Sequence, residues 1–521
     1  MRRRHFAVFT LLILISTLLT GGVGAAGGAA GQATRAAAPT VLTGRLGAAD
    51  YRIEVPDQWN GTLLLYSHGF VAPGRPNPAR SVSDAVTGDY LLSQGYALAG
   101  SSYSETGYAI EQAFREQTQL LDFFATQVGE PKRTIAWGDS NGGIITAGLI
   151  QTYPDRFDAA LPMCGVLAGS VGARNITLDI AFVFKTLLAP DSPLQLIEIT
   201  DTEANLQLAQ QLLQAAQQTP EGRARLALAA AVGNIPGWFD PASPEPAPDD
   251  YAAQQQNQFL WFQRVNFPFY FSYRADQERR AGGNASWNTG VDYDAQLALS
   301  GQQDLVEALY DQAGLSLETD LTRLAAAPRV APDPSAVEYV RRYVTLSGQI
   351  GVPVLTIHTV GDGLVQVQQE RAYADVVGAA GNGALLRQAY INRAGHCTFT
   401  PAERIAALQA LVQRLDTGAW GDTSPRALNA AAAALGPELN TRAAGEARVA
   451  SPPAYFQYQP SVFLRPFSYH STVPSAATPG LPKAGGGGTR AGEDAPLRLL
   501  AGLSLAVFPV VVAGVRRRRA A

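Results

Sequence analysis

The 521-residue sequence has few of the residues that bind metals and cofactors. It contains two cysteines, Cys164 and Cys397, and only five histidines. It has no H-E-x-x-H motif, no paired-cysteine zinc spacing, and no P-loop or dinucleotide fingerprint in a strand-to-helix context. Those motifs bind metals or phosphates through residues at fixed spacings. We therefore expect a reaction that uses no metal and no other cofactor.

Positive charge is scarce outside the two ends of the chain. The whole chain has 40 basic and 44 acidic residues, a net charge of −4. Residues 2–4 are three arginines, and the chain beyond residue 484 has a net charge of +4, so the body between them has a net charge of −11. Such an acidic body argues against nucleic acid or an anionic membrane surface as a partner.

Both ends of the chain have the patterns of targeting segments. Residues 1–28 combine three arginines, an apolar run and small residues, which is typical of a secretory signal peptide. A retained N-terminal membrane anchor is the alternative, and residues 29–40 read as a disordered spacer. Residues 497–521 contain an uncharged stretch at 499–515 followed by four arginines, which predicts a transmembrane segment with a cytoplasmic basic tail.

The predicted linker at 471–496 contains LPKAG, which begins at Leu481 and ends at Gly485. Its place before an apolar segment and a basic tail resembles a bacterial sortase sorting signal, with Ala484 where that family usually has threonine. The resemblance implies sortase processing and attachment to the cell wall, and a plain membrane tail anchor is the alternative. Either way we expect an exported protein on the extracellular face, where two cysteines favour one disulfide over two buried free thiols.

Strand-like and helix-like patterns alternate over residues 41–165 and again over residues 351–417. This alternation predicts an α/β fold with a mostly parallel sheet flanked by helices. The alternation of strand and helix patterns is interrupted between these segments. Residues 166–350 instead have helical patterns and an aromatic run at 259–273. We expect residues 166–350 to form a large, mainly helical cap inserted between two strands of the sheet.

The C-terminal part begins with a clear helix signal. Thr400 and Glu403 fit a capping box with Pro401 at the first helical position, which predicts a helix to about residue 415. Residues 418–470 read as an extension with one alanine-rich helix. We expect its aromatic segment at 455–469 to lie over the core or the mouth of the site.

A serine among glycines is the strongest candidate for chemistry. Ser140 lies in GDSNG, residues 138–142, between a predicted strand and a predicted helix. A serine hydroxyl needs a base and a carboxylate that orients the base. Asp362 and His396 each follow a predicted strand, at the sheet edge where catalytic groups collect. The order serine, aspartate, histidine with G-x-S-x-G is the nucleophile-elbow pattern.

Over residues 42–165 and 350–417 the sequence resembles the α/β-hydrolase superfamily. The resemblance implies Ser140 as nucleophile, His396 as general base and then acid, and Asp362 as the carboxylate that orients the imidazole. It also implies an oxyanion hole. The matching residues are His68 and Gly69 after the second strand, the elbow at 138–142, Asp362 and His396, and the backbone groups of the oxyanion hole are those of Asn141, Gly69 and Phe70.

The cysteines acquire positions in this pattern, because Cys164 ends a predicted strand and Cys397 follows the candidate base. A Cys164–Cys397 disulfide would tie the histidine loop to the sheet edge. Some secreted esterases related to tannase and feruloyl esterase also have a cysteine after the catalytic histidine. They pair it with a cysteine directly before the serine, where this chain has Asp139, so the likeness is partial.

Other residues compete for these roles. Asp139 and Asp375 are alternative acids, and His358 lies inside a predicted strand, which favours packing. His68 is expected to shape the oxyanion loop, and His470 has no evident partner. The remaining pocket candidates are Tyr103, Tyr108 and the aromatic run at 259–273, which could equally form the core of the cap.

The resulting hypothesis is a secreted or surface-anchored serine hydrolase that cleaves a carboxylic ester of a small molecule or a polymer through an acyl-enzyme. A serine peptidase or amidase on the same fold is the first alternative, because the attacking groups are shared. A non-catalytic surface binding protein on a hydrolase scaffold is the second. The expected membrane contact is through the C-terminal anchor.

Overall fold

The computed structural model describes residues 38–445, 447–467 and 471. The predicted signal peptide, most of the predicted spacer, His470 and the C-terminal segments from residue 472 onward lie outside the described residues. The strands are β1 Thr40–Leu46, β2 Ala49–Val55, β3 Thr62–Ser67, β4 Ala97–Ser101, β5 Arg133–Asp139, β6 Ala159–Met163, β7 Val354–Gly361, β8 Leu386–Ala394, β9 Thr441–Ala444, β10 Ala447–Ala450 and β11 Tyr455–Phe456.

The helices fall into two groups by their place in the chain. Those associated with the sheet are α1 Ala85–Ser93, α2 Ile110–Gln127 and α3 Asn141–Thr152, and later α14 Gln368–Ala379, α15 Pro401–Thr417 and α16 Pro425–Ala434. Those between β6 and β7 are α4 Gly169–Leu188, α5 Thr202–Gln217, α6 Pro220–Ala231, α7 Tyr251–Trp261, α8 Phe267–Phe271, α9 Arg274–Ala281, α10 Tyr293–Ser300, α11 Gln303–Ala313, α12 Leu317–Ala326 and α13 Pro334–Val344.

Nine strands form one sheet in the order β1-β2-β4-β3-β5-β6-β7-β8-β11. The six from β4 to β8 pair in parallel, and β1, β2 and β11 pair antiparallel at the two sides. The predicted mostly parallel sheet flanked by helices is therefore confirmed. All six residues of β3 are buried, as expected for a central parallel strand that is covered on both faces.

Helices cover both faces of the sheet. Leu63 and Leu65 of β3 pack in a cluster with α2, α3 and α14, whereas Leu64 and Tyr66 pack in a cluster with α1, α15 and α16. This alternation follows from the two-residue period of a strand, which sends successive side chains to opposite faces. The carboxyl ends of the parallel strands remain as the edge where loops can meet.

The predicted helix after the histidine loop is confirmed as α15. Thr400 accepts a hydrogen bond from the backbone N–H of Glu403, and the Glu403 side chain accepts one from the N–H of Thr400, with Pro401 at the first helical position. Arg393 at the end of β8 also donates to both oxygens of Glu403. The cap of α15 thus fixes the helix start relative to β8.

The segment between β6 and β7 is helical, as expected for a cap. Its core is an apolar cluster drawn from α4 to α8 and from α10 to α12. Most of the aromatic run lies in this core, where Trp261, Phe262, Phe267 and Phe271 are buried. A five-residue π-helical turn at Phe262–Asn266 joins α7 to α8.

The edges of the sheet differ from the sequence prediction. β1 begins at Thr40 and pairs with β2, although residue 40 ended the predicted spacer. β2 and β3 follow each other in the chain but are not neighbours in the sheet, because β4 lies between them. In the extension, β11 pairs with β8, and Phe463 packs against Ala168 and Ile176 of the cap segment.

The transmembrane prediction needs correction. Within residues 38–445, 447–467 and 471, no helix is both long enough and apolar enough to cross a membrane. The segment at 499–515 that gave rise to the prediction lies outside the described residues, as does LPKAG.

Candidate active site

Ser140 occupies a sharp turn between β5, which ends at Asp139, and α3, which begins at Asn141. Its backbone has φ 60° and ψ −121°, a conformation that costs energy for any residue with a side chain and is found at functional sites. The turn also requires small neighbours. A Cβ on Gly138 or Gly142 would collide with the backbone oxygen of Ser67, so glycine is needed on both sides of the serine.

Asp362 and His396 are brought together by the loops that follow β7 and β8. His396 Nδ1 lies 2.6 Å from Asp362 Oδ2. The other carboxylate oxygen of Asp362 accepts hydrogen bonds from the N–H groups of Leu364 at 2.9 Å and Val365 at 3.0 Å. This is the arrangement that orients an imidazole by its Nδ1 and leaves Nε2 to exchange a proton.

The charge of Asp362 is held by its neighbours. Burial alone would raise the pKa of this carboxyl, but the adjacent His396 and His358 outweigh burial and lower the pKa below its usual value. Asp362 therefore stays a carboxylate at neutral pH. A charged carboxylate is what the imidazolium formed during acyl transfer requires.

A second buried pair lies behind Asp362. His358 Nδ1 is 3.0 Å from Glu370 Oε1, and His358 Nε2 is 2.8 Å from the backbone oxygen of Val365 and 3.6 Å from Asp362. Burial lowers the pKa of His358, yet its bonds to Asp362 and Glu370 prevail and raise it to about 10. His358 is therefore part of a buried polar network rather than simple packing. Glu370, on α14, was not predicted from the sequence, where it looks like an ordinary helix-surface residue.

Ser140 and His396 are not hydrogen-bonded to each other in the described part of the chain. His396 Nε2 lies 3.4 Å from the sulfur of Cys397. The Ser140 side chain lies beside Gly69, because a methyl group added to Gly69 would be 3.4 Å from Ser140 Cβ. Catalytic hydrogen bonds are often long before substrate binds. The structure thus brings Asp362 and His396 into contact, whereas Ser140 lies on the turn between β5 and α3.

Cys164 and Cys397 form a disulfide, with their Cα atoms 5.5 Å apart and 233 positions separating them in sequence. It links the end of β6 to the residue after His396. The cysteine sulfurs and a His396 nitrogen lie within 4.8 Å of one another, but sulfur ligates a metal strongly only as a thiolate. Because the two sulfurs are bonded to each other, this cluster is a structural disulfide and not a set of metal ligands.

Two backbone N–H groups next to Ser140 are free to stabilise an oxyanion. Over the residues that the structure describes, the N–H groups of Asn141 and Phe70 donate to no acceptor. The loop that carries Gly69 and Phe70 is held by buried His68, whose Nδ1 is 2.7 Å from the Gly69 oxygen and whose Nε2 is 3.1 Å from the Ser102 oxygen. Burial lowers the pKa of His68, so His68 serves as a support for this loop.

The alternative acids are engaged elsewhere. Asp139 accepts a hydrogen bond from Tyr66 at 2.8 Å and lies 3.3 Å from Arg404. Asp375 is paired with Arg371 on the surface of α14. Neither carboxylate contacts His396, so Asp362 alone fits the orienting role among these three.

A small pocket opens next to Ser140. Its volume is about 70 Å³, far below the ~300–1,000 Å³ of pockets for drug-sized ligands, so it suits a small group. Tyr108 lines it, but Tyr103 does not; the Tyr103 ring stacks on His68 with centroids 4.1 Å apart. The lining residues that were not predicted individually are Ile144, Val166, Ser170, Ala173, Arg174, Ile176, Thr177, Phe269, Tyr270, Leu364, Val365, Gln366 and Gln369.

The sharp turn at Ser140, the contact between Asp362 and His396 on the loops after β7 and β8, and the helices inserted between β6 and β7 are the features of one class of protein, the α/β-hydrolases. The chain is 30% identical over 411 residues to an o-phthalyl amidase of Xanthobacter agilis, covering 74% of this chain and 89% of that protein. The chain therefore belongs to the same family as that amidase, within the α/β-hydrolase superfamily. Residues 28–221 also match a family described as a tannase-like family of unknown function, DUF6351.

Solved structures with a similar fold include an esterase and a peptidase. The feruloyl esterase B of Aspergillus oryzae matches at 15% identity and a TM-score of 0.36, over 73% of this chain and 80% of that one. The acylaminoacyl peptidase of Pyrococcus horikoshii matches at 10% identity and a TM-score of 0.35, over 76% of this chain and 44% of the peptidase chain. With its family, the chain is an α/β-hydrolase enzyme of ester or amide substrates.

Proposed function

We propose that the protein is a serine hydrolase that forms an acyl-enzyme on Ser140. The observation that carries this proposal is the backbone of Ser140, with φ 60° and ψ −121° between β5 and α3. The 2.6 Å contact between His396 and Asp362 on the neighbouring loops supports it. A strained serine at a strand-to-helix turn, together with an imidazole that a carboxylate orients, is the set of groups that an activated nucleophile needs.

In the proposed mechanism, His396 Nε2 takes the proton of Ser140 as the serine oxygen attacks the carbonyl carbon. Asp362 holds the opposite nitrogen and stabilises the imidazolium. The N–H groups of Asn141 and Phe70 would bind the negative oxygen of the tetrahedral intermediate, and the loss of one such donor costs about 3 kcal/mol in other hydrolases. His396 then protonates the leaving group, and water releases the acyl group by the same steps.

Two candidate reactions share this mechanism. The first is the hydrolysis of an ester and the second is the hydrolysis of an amide. The o-phthalyl amidase relative favours the second candidate, whereas the attacking groups serve both. A matched panel of p-nitrophenyl esters and p-nitroanilides with the same acyl groups separates them. Turnover of the anilides alone would exclude the ester candidate.

Covalent labelling tests the proposed mechanism most directly. A fluorophosphonate probe should label the folded protein, and Ser140→Ala should abolish labelling. Ser93→Ala is the matched control, because Ser93 is exposed at the end of α1, and it should label like the wild type. Absence of labelling in the wild type would contradict the proposal and favour a binding protein on a hydrolase scaffold.

We propose that the protein is exported. The pattern of residues 1–28 and the Cys164–Cys397 disulfide support this, because disulfides persist in oxidising compartments. Sequencing the N-terminus of the mature protein tests it, and an intact residue 1 would contradict it. Sortase processing at LPKAG stays a prediction, and mass spectrometry of the mature C-terminus checks it.

A further inference from the structure

Two histidine rings flank the carboxylate of Asp362. Its Oδ2 lies 2.6 Å from His396 Nδ1 and 3.6 Å from His358 Nε2. His396 reaches the carboxylate from the loop after β8, whereas His358 belongs to β7 itself. His358 and Asp362 are buried, with exposed fractions of 0% and 1%. Of the two rings, only that of His396 has a part in the proposed mechanism, so the second ring needs its own explanation.

Within the described residues, both nitrogens of the His358 ring face oxygen atoms. Nδ1 lies 3.0 Å from Glu370 Oε1, and Nε2 lies 2.8 Å from the backbone oxygen of Val365. A neutral imidazole has a hydrogen on one nitrogen and a lone pair on the other, whereas an imidazolium donates from both. A lone pair aimed at either oxygen would be repelled, so these contacts favour a positively charged His358.

Glu370 is placed to hold this cation. It is fully buried, and while its Oε1 faces His358, its Oε2 accepts hydrogen bonds from Thr356 Oγ1 at 2.5 Å and from Gln388 Nε2 at 2.6 Å. Such contacts suit a carboxylate, which accepts with both oxygens. Glu370 and His358 therefore form a buried ion pair behind the acid.

Neighbouring ionisable groups leave this pair unchanged. Tyr373 on α14 and Tyr390 on β8 lie near Glu370, and burial raises the pKa of both hydroxyls, with the charge of Glu370 adding to the effect. Both tyrosines are therefore neutral. Arg371 is paired with Asp375 on the surface of α14. The charges next to the imidazolium are thus those of the two carboxylates.

His358 also braces the loop that carries the acid. Val365 donates its N–H to Asp362 Oδ1 at 3.0 Å, and its backbone oxygen lies 2.8 Å from His358 Nε2. The turn from Asp362 to Val365 is thus tied to β7 through the same ring that provides the charge. A shift of this ring would move the carboxylate that orients His396.

A cation behind the acid changes how the acid acts on the base. Asp362 stabilises the imidazolium form of His396, and charges interact more strongly in a buried site than in water. Without a second cation, the buried carboxylate would hold a proton on His396 too firmly. His358 offsets part of that negative charge. This matters because a general base works best when it loses its proton near the working pH.

We propose that His358 and Glu370 are positioning residues that place a positive charge behind Asp362. This charge keeps His396 free to accept the proton of Ser140 near neutral pH. Both residues act through the acid rather than on the reacting atoms. The inference rests on the proposed function, because it assumes that Ser140 is the nucleophile.

The pH dependence of fluorophosphonate labelling tests the inference without a known substrate. The second-order rate constant of labelling should rise with pH as His396 becomes neutral. In Glu370→Gln the amide can donate to Nδ1 of His358, which leaves that ring neutral, and the rise should move to higher pH by about 0.5–1 unit. His358→Gln removes the cation directly and should move the rise in the same direction. A rise that stays in place in both variants overturns the inference.

A purely structural role gives a different result, because a loss of packing lowers the rate constant at every pH without moving the rise. Glu370→Asp keeps the carboxylate and should move the rise by less than Glu370→Gln. Glu54→Gln is the matched control, since Glu54 is a buried carboxylate bonded to Arg52 on β2, and four strands separate β2 from β7. A shift in this control equal to that in Glu370→Gln would overturn the inference.

A spectroscopic measurement covers variants that do not fold. In the wild-type full chain labelled with 15N-histidine, one ring should keep the nitrogen chemical shifts of an imidazolium at pH 8. If all rings are neutral at that pH, His358 carries no charge and the inference is overturned. Absence of labelling in the wild type contradicts the proposed function and the inference with it. Labelling with a rise that stays in place in the variants contradicts the inference alone.

Discussion

Two regions that border Ser140 differ in how their polar groups are paired. The sheet edge consists of Asp362, His358, Glu370 and His396, and the pocket wall consists of the residues around Arg174 and Tyr108. At the sheet edge, Asp362, His358 and Glu370 are buried. Glu370 is hydrogen-bonded to His358 and Asp362 to His396, and His358 lies 3.6 Å from Asp362. On the pocket wall, Arg174 and Tyr108 have buried polar atoms that find no partner in the part of the chain that the structure describes. The proposed catalytic groups are thus hydrogen-bonded within the protein, whereas Arg174 and Tyr108 keep polar atoms without a partner among the described residues.

The largest effect is expected from disturbing the sheet edge at its centre. Asp362→Asn keeps the shape of the side chain but removes the charge that orients His396, and we expect kcat to fall by about 10,000-fold, as the same change does in other serine hydrolases. Steady-state kinetics on the best ester or anilide measures it. Asp375→Asn, on the surface of α14, is the control, and a similar loss there would contradict the assignment of Asp362.

Much of the sheet edge could be predicted from the sequence because its signals are local. Gly138 and Gly142 are required by the close approach of Ser67, and the capping box at Thr400 forms within four residues. β1 and β11 were not predicted because each is a strand through its pairing with β2 or β8, and the local sequence pattern does not indicate that pairing. Glu370 was missed for a related reason, because a glutamate on a helix is usually solvent-exposed.

The pocket wall was harder to predict than the sheet edge. Arg174 is a single arginine in a long helix, and only the fold shows that Tyr108 covers one face of its guanidinium and that no described carboxylate pairs with it. Tyr103 and Tyr108 look alike in sequence, yet a difference of five positions puts one under His68 and the other in the pocket. Specificity therefore depends on contacts between distant segments, which residue patterns do not encode.

The disulfide joins the sheet edge to the histidine loop, and its removal is the next largest expected effect. Replacing both Cys164 and Cys397 by alanine should lower the free energy of unfolding by about 2–5 kcal/mol, because the unfolded chain regains the freedom of a loop of more than 200 residues. Chemical denaturation of the wild type and the double variant measures the difference. An unchanged midpoint would show that the bond adds no stability.

The buried network behind Asp362 predicts a pH dependence of stability. The pKa of His358 rises from an ordinary 6.5 to about 10 in the folded protein. Its contribution to stability is therefore complete below pH 6.5 and is lost as the pH rises through 10. His358→Gln should flatten the decline in Tm between pH 6.5 and 10, measured relative to the wild type.

Glu370→Gln serves as the partner control for this network, because it removes a charge that keeps His358 protonated. It should flatten the same decline in Tm. Asp362 acts in the opposite direction, since its lowered pKa gives stability that is lost as the solution becomes acidic. If both variants follow the wild-type profile from pH 6.5 to 10, His358 does not carry a charge in the folded protein.

The smallest expected effect lies on the apolar part of the pocket wall. The Phe269 ring packs 5.1 Å from Phe70, and both line the pocket without any role in proton transfer. Phe269→Ala should raise KM for an aromatic substrate by about 2- to 12-fold, the equivalent of about 0.5–1.5 kcal/mol of aromatic contact, and should change kcat far less. Leu299→Ala, at an exposed leucine of α10, should leave both constants as they are. A fall in kcat with KM unchanged would mean that the pocket wall positions the reacting carbonyl. The proposed division, in which the sheet edge performs the reaction and the pocket wall binds the substrate, would then be wrong.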